Sequence, residues 1–201
     1  MDIILCALLS YLYGSIPFGY IATYIIKGKK LTQEGTGNVG VTNTFKVGGT
    51  AAGIVTILGE ISKAFLPIFT ATTLYPGNRR IAFLFMFCSL VGTSFSAFLK
   101  GRGGKGSTVA FWSIFLLSRY TCFILLATWI ILALLARNNL HIKKLQLICI
   151  PCAVYLVERD MLFTLFGVLT SALLFLTTYL RTDDFSYYNI LSRKRSSPPV
   201  T

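Results

Sequence analysis

The stretch MLFTLFGVLTSALLFLTTYL, Met161 to Leu180, runs for twenty residues without a charged side chain. At 1.5 Å per residue a helix of that length spans about 30 Å, the thickness of a bilayer's hydrocarbon core. Phe123 to Ala136 has the same character. The whole chain agrees with these runs: 54% of its residues are hydrophobic and only 13% charged, with a mean hydropathy of +0.69. A soluble domain is about one quarter charged. The expectation is an all-α polytopic membrane protein, with 1–201 forming one domain.

Charge then orders the spans. The net charge of +12 could suggest nucleic acid, but no basic run carries interleaved aromatics. A positive-inside bias facing anionic headgroups accounts for it better. Apolar runs between polar breaks predict spans at 3–26, 50–75, 81–99, 107–118, 120–136, 145–157 and 161–180. With the N-terminus outside, fourteen of the nineteen lysines and arginines fall in inside loops. Four fall outside, namely Arg79, Arg80, Arg119 and Arg159, and Lys63 lies within a span. Joining 107–136 into one helix would leave six spans and nearly equalise the two faces, so seven are preferred. The fourth and sixth cover only about 20 Å and are expected to tilt or to be buried among neighbours. The first segment starts with Asp2 and has its lysines after it, unlike a signal peptide. Residues 196–201 read as a disordered tail.

This topology places two glycine-rich loops, Gly35–Gly49 and Lys100–Ser107, on the cytoplasmic face together with the C-terminal tail. The second, KGRGGKGS, superficially resembles a nucleotide phosphate loop. That motif requires Ser or Thr directly after its lysine, whereas Gly106 follows Lys105. The underlying physics still applies: a helix starting near Ser107 would present its positive end to an anion. Arg102 offers a planar fork and Lys105 a compact charge. In the first loop, GTGNVGVTNTFK (Gly35–Lys46) combines short polar side chains with glycines that allow close backbone approach, which suits an anion equally well. Glu60 and Lys63 share a helix face inside a span, as an aqueous site or as a structural pair. Gly14 to Gly19, GSIPFG, reads as small-residue packing with a kink at Pro17. The five cysteines lie in apolar runs and read as packing residues, and His141 lacks partners for a metal. Neither a metal nor a cofactor is expected.

Together, these segments resemble the PlsY family, the bacterial membrane acyl-phosphate:glycerol-3-phosphate acyltransferases. The resemblance runs through YGSIPFGY (Tyr13–Tyr20), GTGNVGVTN (Gly35–Asn43), Glu60/Lys63, GGKG (Gly103–Gly106), and Asn189-Ile190 with Arg193. It implies transfer of a fatty acyl group from acyl phosphate, not acyl-CoA, to the 1-hydroxyl of glycerol 3-phosphate at a bacterial inner membrane. The products are lysophosphatidic acid and phosphate, the partners are these substrates and membrane lipid, and no nucleic acid is involved. Catalytic roles fall to Lys105, Thr36 and Asn38. Substrate binding falls to Thr42, Asn43, Lys46, Arg102, Gly103, Gly104, Gly106, Asn189 and Arg193, with Ser15, Glu60, Lys63 and Thr93 in support. No strong general base is evident, so substrate phosphate is expected to take the proton.

The chain departs from the family pattern in several places. Thr36 replaces serine, Lys46 replaces arginine, Glu60-x-x-Lys63-Ala64 replaces Asp-x-x-Lys-Gly, Arg102 replaces lysine, and Thr93 stands where a histidine is usual. The alternative is a paralogue that keeps the anion pocket as a lipid-binding or regulatory protein. Transport of a phosphorylated solute is disfavoured because no inverted repeat is apparent.

Overall fold

The structure, a computed structural model, describes residues 2–135, 139–181, 184, 187 and 188. All regular structure among them is helical. The order is α1 (Ile3–Gly14), α2 (Phe18–Lys27), α3 (Val41–Leu74), α4 (Arg79–Ser94), α5 (Ser107–Leu117), α6 (Arg119–Leu135), α7 (Asn139–Glu158) and α8 (Met161–Leu180), with 3₁₀ turns at Leu31–Gln33 and Ala97–Leu99. Among the described residues, four stretches are long and apolar enough to cross a bilayer: Ile3–Lys27, Val41–Leu74, Arg79–Leu99 and Met161–Leu180. Ser107–Leu117, Arg119–Leu134 and Leu145–Glu158 are apolar but shorter, as expected for the short fourth and sixth segments. The expected disordered tail at 196–201 lies outside the described residues.

Three boundaries sharpen the sequence reading. The first apolar segment is two helices, because Pro17 follows α1 without a donor N–H and α2 starts on its far side. α1 packs on α4 and α2 on α3, so the break redirects the chain rather than merely kinking it. The second segment begins at Val41, not at 50, and turns sharply where Gly49 adopts φ 82°. Finally, α5 and α6 are separate: Ser118 leaves helical geometry, and its hydroxyl pairs with Thr121 at 2.7 Å. A continuous helix over 107–136 is thereby excluded.

Small residues set the packing, as expected where lipid removes much of the hydrophobic drive between helices. A Cβ on Gly14 would strike the backbone of Ser89, and one on Gly92 would strike the carbonyl of Tyr11. α1 and α4 therefore touch backbone to backbone. The main apolar core, including Phe83, Met86, Leu90, Val109, Ile150 and Phe163, joins α4, α5, α7 and α8. Near the start of α4, Arg79 forks onto Glu158 at 2.8 and 3.1 Å and also donates to the Leu117 carbonyl at 2.9 Å. This ties α5 and α7 to one end of α4. The opposite end of α4, past Thr93, opens into the glycine-rich loop.

Gly14→Val is expected to force α1 off α4 and to destabilise the protein by about 1–3 kcal/mol. Thermal unfolding in detergent should record a lower Tm, and an unchanged Tm would refute the backbone-to-backbone contact.

Candidate active site

Three interruptions in the helices converge on one cavity of about 500 Å³: the Ser15–Pro17 break, the start of α3 at Gly40, and the loop from Ser96 to Gly106. Backbone carbonyls released at such breaks need donors where water is scarce. Thr93 Oγ1 donates to the Gly14 carbonyl at 3.1 Å, and Ser96 Oγ donates to the Ser15 carbonyl at 2.5 Å. Arg181 Nη2 donates to the carbonyls of Ser94 and Gly101 at 3.1 and 3.0 Å, bridging the ends of the turn. Thr177 Oγ1 donates to the Lys105 carbonyl at 2.9 Å. Gly103 is pressed against the Thr93 and Ser94 carbonyls where no Cβ would fit, and the Gly104 N–H donates to the Thr93 carbonyl at 2.8 Å.

The donor side is left open. Among the described residues, no side chain caps α3 at Gly40 or α5 at Gly106. The first residues of both helices, Val41-Thr42 and Ser107-Thr108, line the cavity. Each helix start carries roughly half a positive charge on unsatisfied N–H groups. Lys105 lines the same cavity, its side chain 15% exposed. Arg181 adds further positive potential. Its pKa is pushed down from the ordinary guanidine value, first by burial and then by the neighbouring Arg102 charge. These groups form a cradle for an anion.

Away from the cradle the cavity changes character. It continues between α5, α6, α7 and α8, where Phe111, Ile114, Leu125, Trp129 and Ile150 line it. One void therefore has a cationic, amide-lined end and an apolar arm, suiting a ligand with an anionic head and a hydrocarbon tail.

The residues expected from sequence divide into groups. Asn38, Thr42, Gly103, Gly104, Lys105 and Gly106 line the cavity, as do Ser15, Glu60, Lys63 and Thr93. Lys63 and Glu60 form a buried pair at 2.7 Å on its wall, with the ammonium also over the Phe18 ring. Asn43 instead organises the first loop. Its amide donates to the carbonyls of Glu34 and Asn38, while its oxygen accepts from the Thr36 N–H and the Tyr188 hydroxyl. Lys46 is exposed and lies over the Tyr188 ring at 5.7 Å, and Arg102 is exposed on the loop. Asn189 and Arg193 lie outside the described residues.

Sequence reasoning missed Thr177, Arg181 and Asp184. Asp184 is 6% exposed and accepts from Thr36 Oγ1 at 2.5 Å, Asn38 Nδ2 at 3.1 Å and Lys105 Nζ at 3.1 Å. The i, i+4, i+7 spacing of the three was the available signal, since it would place them on one face if helical periodicity continued.

The chain is similar to known proteins along most of its length. The family model for glycerol-3-phosphate acyltransferase matches residues 4–184. A glycerol-3-phosphate acyltransferase of Pelagibacter ubique is 31% identical over 177 residues, covering 88% of this chain and 90% of its own. One from Carboxydothermus hydrogenoformans is 29% identical over 176 residues, covering 86% and 87%. The crystal structure of PlsY, an integral membrane glycerol 3-phosphate acyltransferase, in its glycerol 3-phosphate form superposes with a TM-score of 0.77 at 21% identity, covering 98% of this chain and 95% of that one. Its lysophosphatidic acid form gives 0.69 at 22% identity, with 88% of each chain covered.

Because Arg181 holds both ends of the turn, Arg181→Leu is expected to loosen the cradle, while Arg102→Leu on the exposed loop has a smaller effect. Lost hydrogen bonds from a charged group cost about 1.5–3 kcal/mol, roughly ten- to a hundredfold in affinity. Calorimetric titration of inorganic phosphate into the detergent-solubilised protein would measure both variants.

Proposed function

The chain belongs to the glycerol-3-phosphate acyltransferase family, and we propose that its cavity carries out transfer of a fatty acyl group from acyl phosphate to the 1-hydroxyl of glycerol 3-phosphate. The observation that carries this reading is the continuity of the phosphate cradle with the apolar arm. An acyl phosphate has a phosphate head and a hydrocarbon tail joined at the reacting carbonyl, so its two ends match the two ends of the void. The junction between them is where the reaction would occur.

In this mechanism the hydroxyl oxygen of glycerol 3-phosphate attacks the acyl carbon and forms the new ester bond. The bond from that carbon to the phosphate oxygen then breaks, and its electron pair leaves with phosphate. Substrate phosphate takes the hydroxyl proton, so the protein need not supply a strong base. Lys105 and the two helix starts stabilise the negative charge that builds on the departing phosphate. Holding tail and head at fixed ends of one cavity supplies orientation. Thr36 and Asn38 complete the cradle beside Lys105, and Asn189 and Arg193 join as substrate-binding groups.

The chain would work as one membrane domain with seven passes, its N-terminus outside and its cradle on the cytoplasmic face of a bacterial inner membrane. The excess of inside cations supports that orientation. A membrane-impermeant thiol reagent should label a cysteine placed at Lys100 only from the cytoplasmic side, and one placed at Arg80 only from the outside. The reverse pattern would overturn the orientation.

Purified protein given palmitoyl phosphate and glycerol 3-phosphate is expected to release phosphate and form lysophosphatidic acid, whereas palmitoyl-CoA supports no turnover. Lys105→Ala should lower kcat/KM by about a hundred- to a thousandfold, the usual loss on removing a group that stabilises developing charge. Phosphate binding without acylation would favour the paralogue reading instead.

A further inference from the structure

The cradle already holds an anion supplied by the chain itself. Asp184 places its carboxylate against Lys105, Thr36 and Asn38, three of the groups assigned to the phosphate cradle. Its side chain is 8% exposed and that of Lys105 15%, so the pair is shielded from water. The carboxylate also orients Asn38. With Nδ2 donating to Asp184, Asn38 Oδ1 is buried and has no hydrogen-bond partner among the described residues. One oxygen of Asp184 accepts from Thr36 and the other from both Asn38 and Lys105, so these donors are occupied.

A phosphate group needs the same donors. It cannot share them with the carboxylate, because two anions a few ångströms apart in a shielded site repel strongly. We propose that Asp184 is a displaceable internal anion: it fills the cradle when substrate is absent, yields to a phosphate group, and returns as phosphate departs. This inference rests on the reading of the cavity as a phosphate site and adds a competitor to it. The same competition weakens the hold on product phosphate and favours its release.

Two alternatives lead to different outcomes. A permanent member of the site would remain beside bound phosphate, so its removal would weaken binding. A general base would leave binding unchanged and affect only turnover. The geometry argues against the base, since both carboxylate oxygens are already engaged as acceptors by Thr36, Asn38 and Lys105.

The test titrates inorganic phosphate calorimetrically into the full-length detergent-solubilised protein as wild type, Asp184→Asn, Asp184→Ala and Lys105→Ala. If the carboxylate occupies the cradle nine-tenths of the time, its removal tightens apparent affinity about tenfold. Both Asp184 variants should therefore bind phosphate more tightly, and phosphate should inhibit their turnover more strongly. Using two variants guards against one failing to fold, as judged by size exclusion and melting. Weaker or unchanged binding in folded Asp184 variants would overturn the proposal. Lys105→Ala reports separately on the underlying reading: if it binds phosphate as well as wild type, the cradle itself is misassigned. Tighter binding at Asp184→Asn without acyl transfer by wild type would leave the competitor standing and remove the proposed reaction.

Discussion

In hydrocarbon, a backbone carbonyl or N–H without a partner is too costly to leave exposed, and this constraint organises the protein. Helices satisfy it along their length, so each interruption needs a local remedy. Here the interruptions gather at one end of α4, and the remedy is one-sided. The carbonyls freed at Gly14, Ser15, Ser94, Gly101 and Lys105 are each met by a hydroxyl or guanidinium from a neighbouring segment. Among the described residues, the N–H groups at the starts of α3 and α5 receive no side-chain cap. Filled acceptors and open donors make a place for an anion, and the same constraint that shapes the fold creates the site.

Much of this was legible in the sequence. The uncharged run from Met161 to Leu180 could only be a buried or membrane helix, and the Lys105-Gly106 order excluded the nucleotide loop while retaining a helix start at Ser107. The early start of α3 was harder to see, because two glycines at 48 and 49 read as a loop. The cue was a stripe of small residues at intervals of four, Thr44, Gly48, Ala52 and Thr56, all buried, which passes through the kink without losing phase. For Asp184, the helical spacing from Thr177 and Arg181 could suggest a shared face but not the partner it meets. An acidic residue in a polar segment after an apolar span reads as solvated, and only the tertiary fold brings it to Lys105, 79 positions away in sequence.

Thr93 illustrates how a departure from a motif can have a structural use. Its hydroxyl donates toward both the Gly14 and Ser89 carbonyls, and its own carbonyl receives the Gly104 N–H. It thus joins the α1 break, α4 and the glycine loop at one point. Ser96 does similar work on the next carbonyl of the same break. A short β-branched alcohol is well suited to this position, because it spans the distance to a carbonyl without filling the cavity beside it.

The two buried carboxylates on the cavity wall each pair with a lysine, yet the pairs differ in kind. Glu60 and Lys63 are three residues apart on one helix face, so α3 holds them together whatever occupies the cavity. Breaking that pair would strand a charge in a low-dielectric wall. Asp184 and Lys105 come from separate segments, and Asp184 also accepts from Thr36 and Asn38. A substrate phosphate could replace Asp184 as the partner of Lys105 without leaving the ammonium uncompensated, whereas it could not replace Glu60 without dismantling a helix face. The local pair suits a fixed wall, and the long-range pair suits exchange. Sequence separation, a property of the chain rather than of the site, distinguishes the lysine that can change partners from the one that cannot.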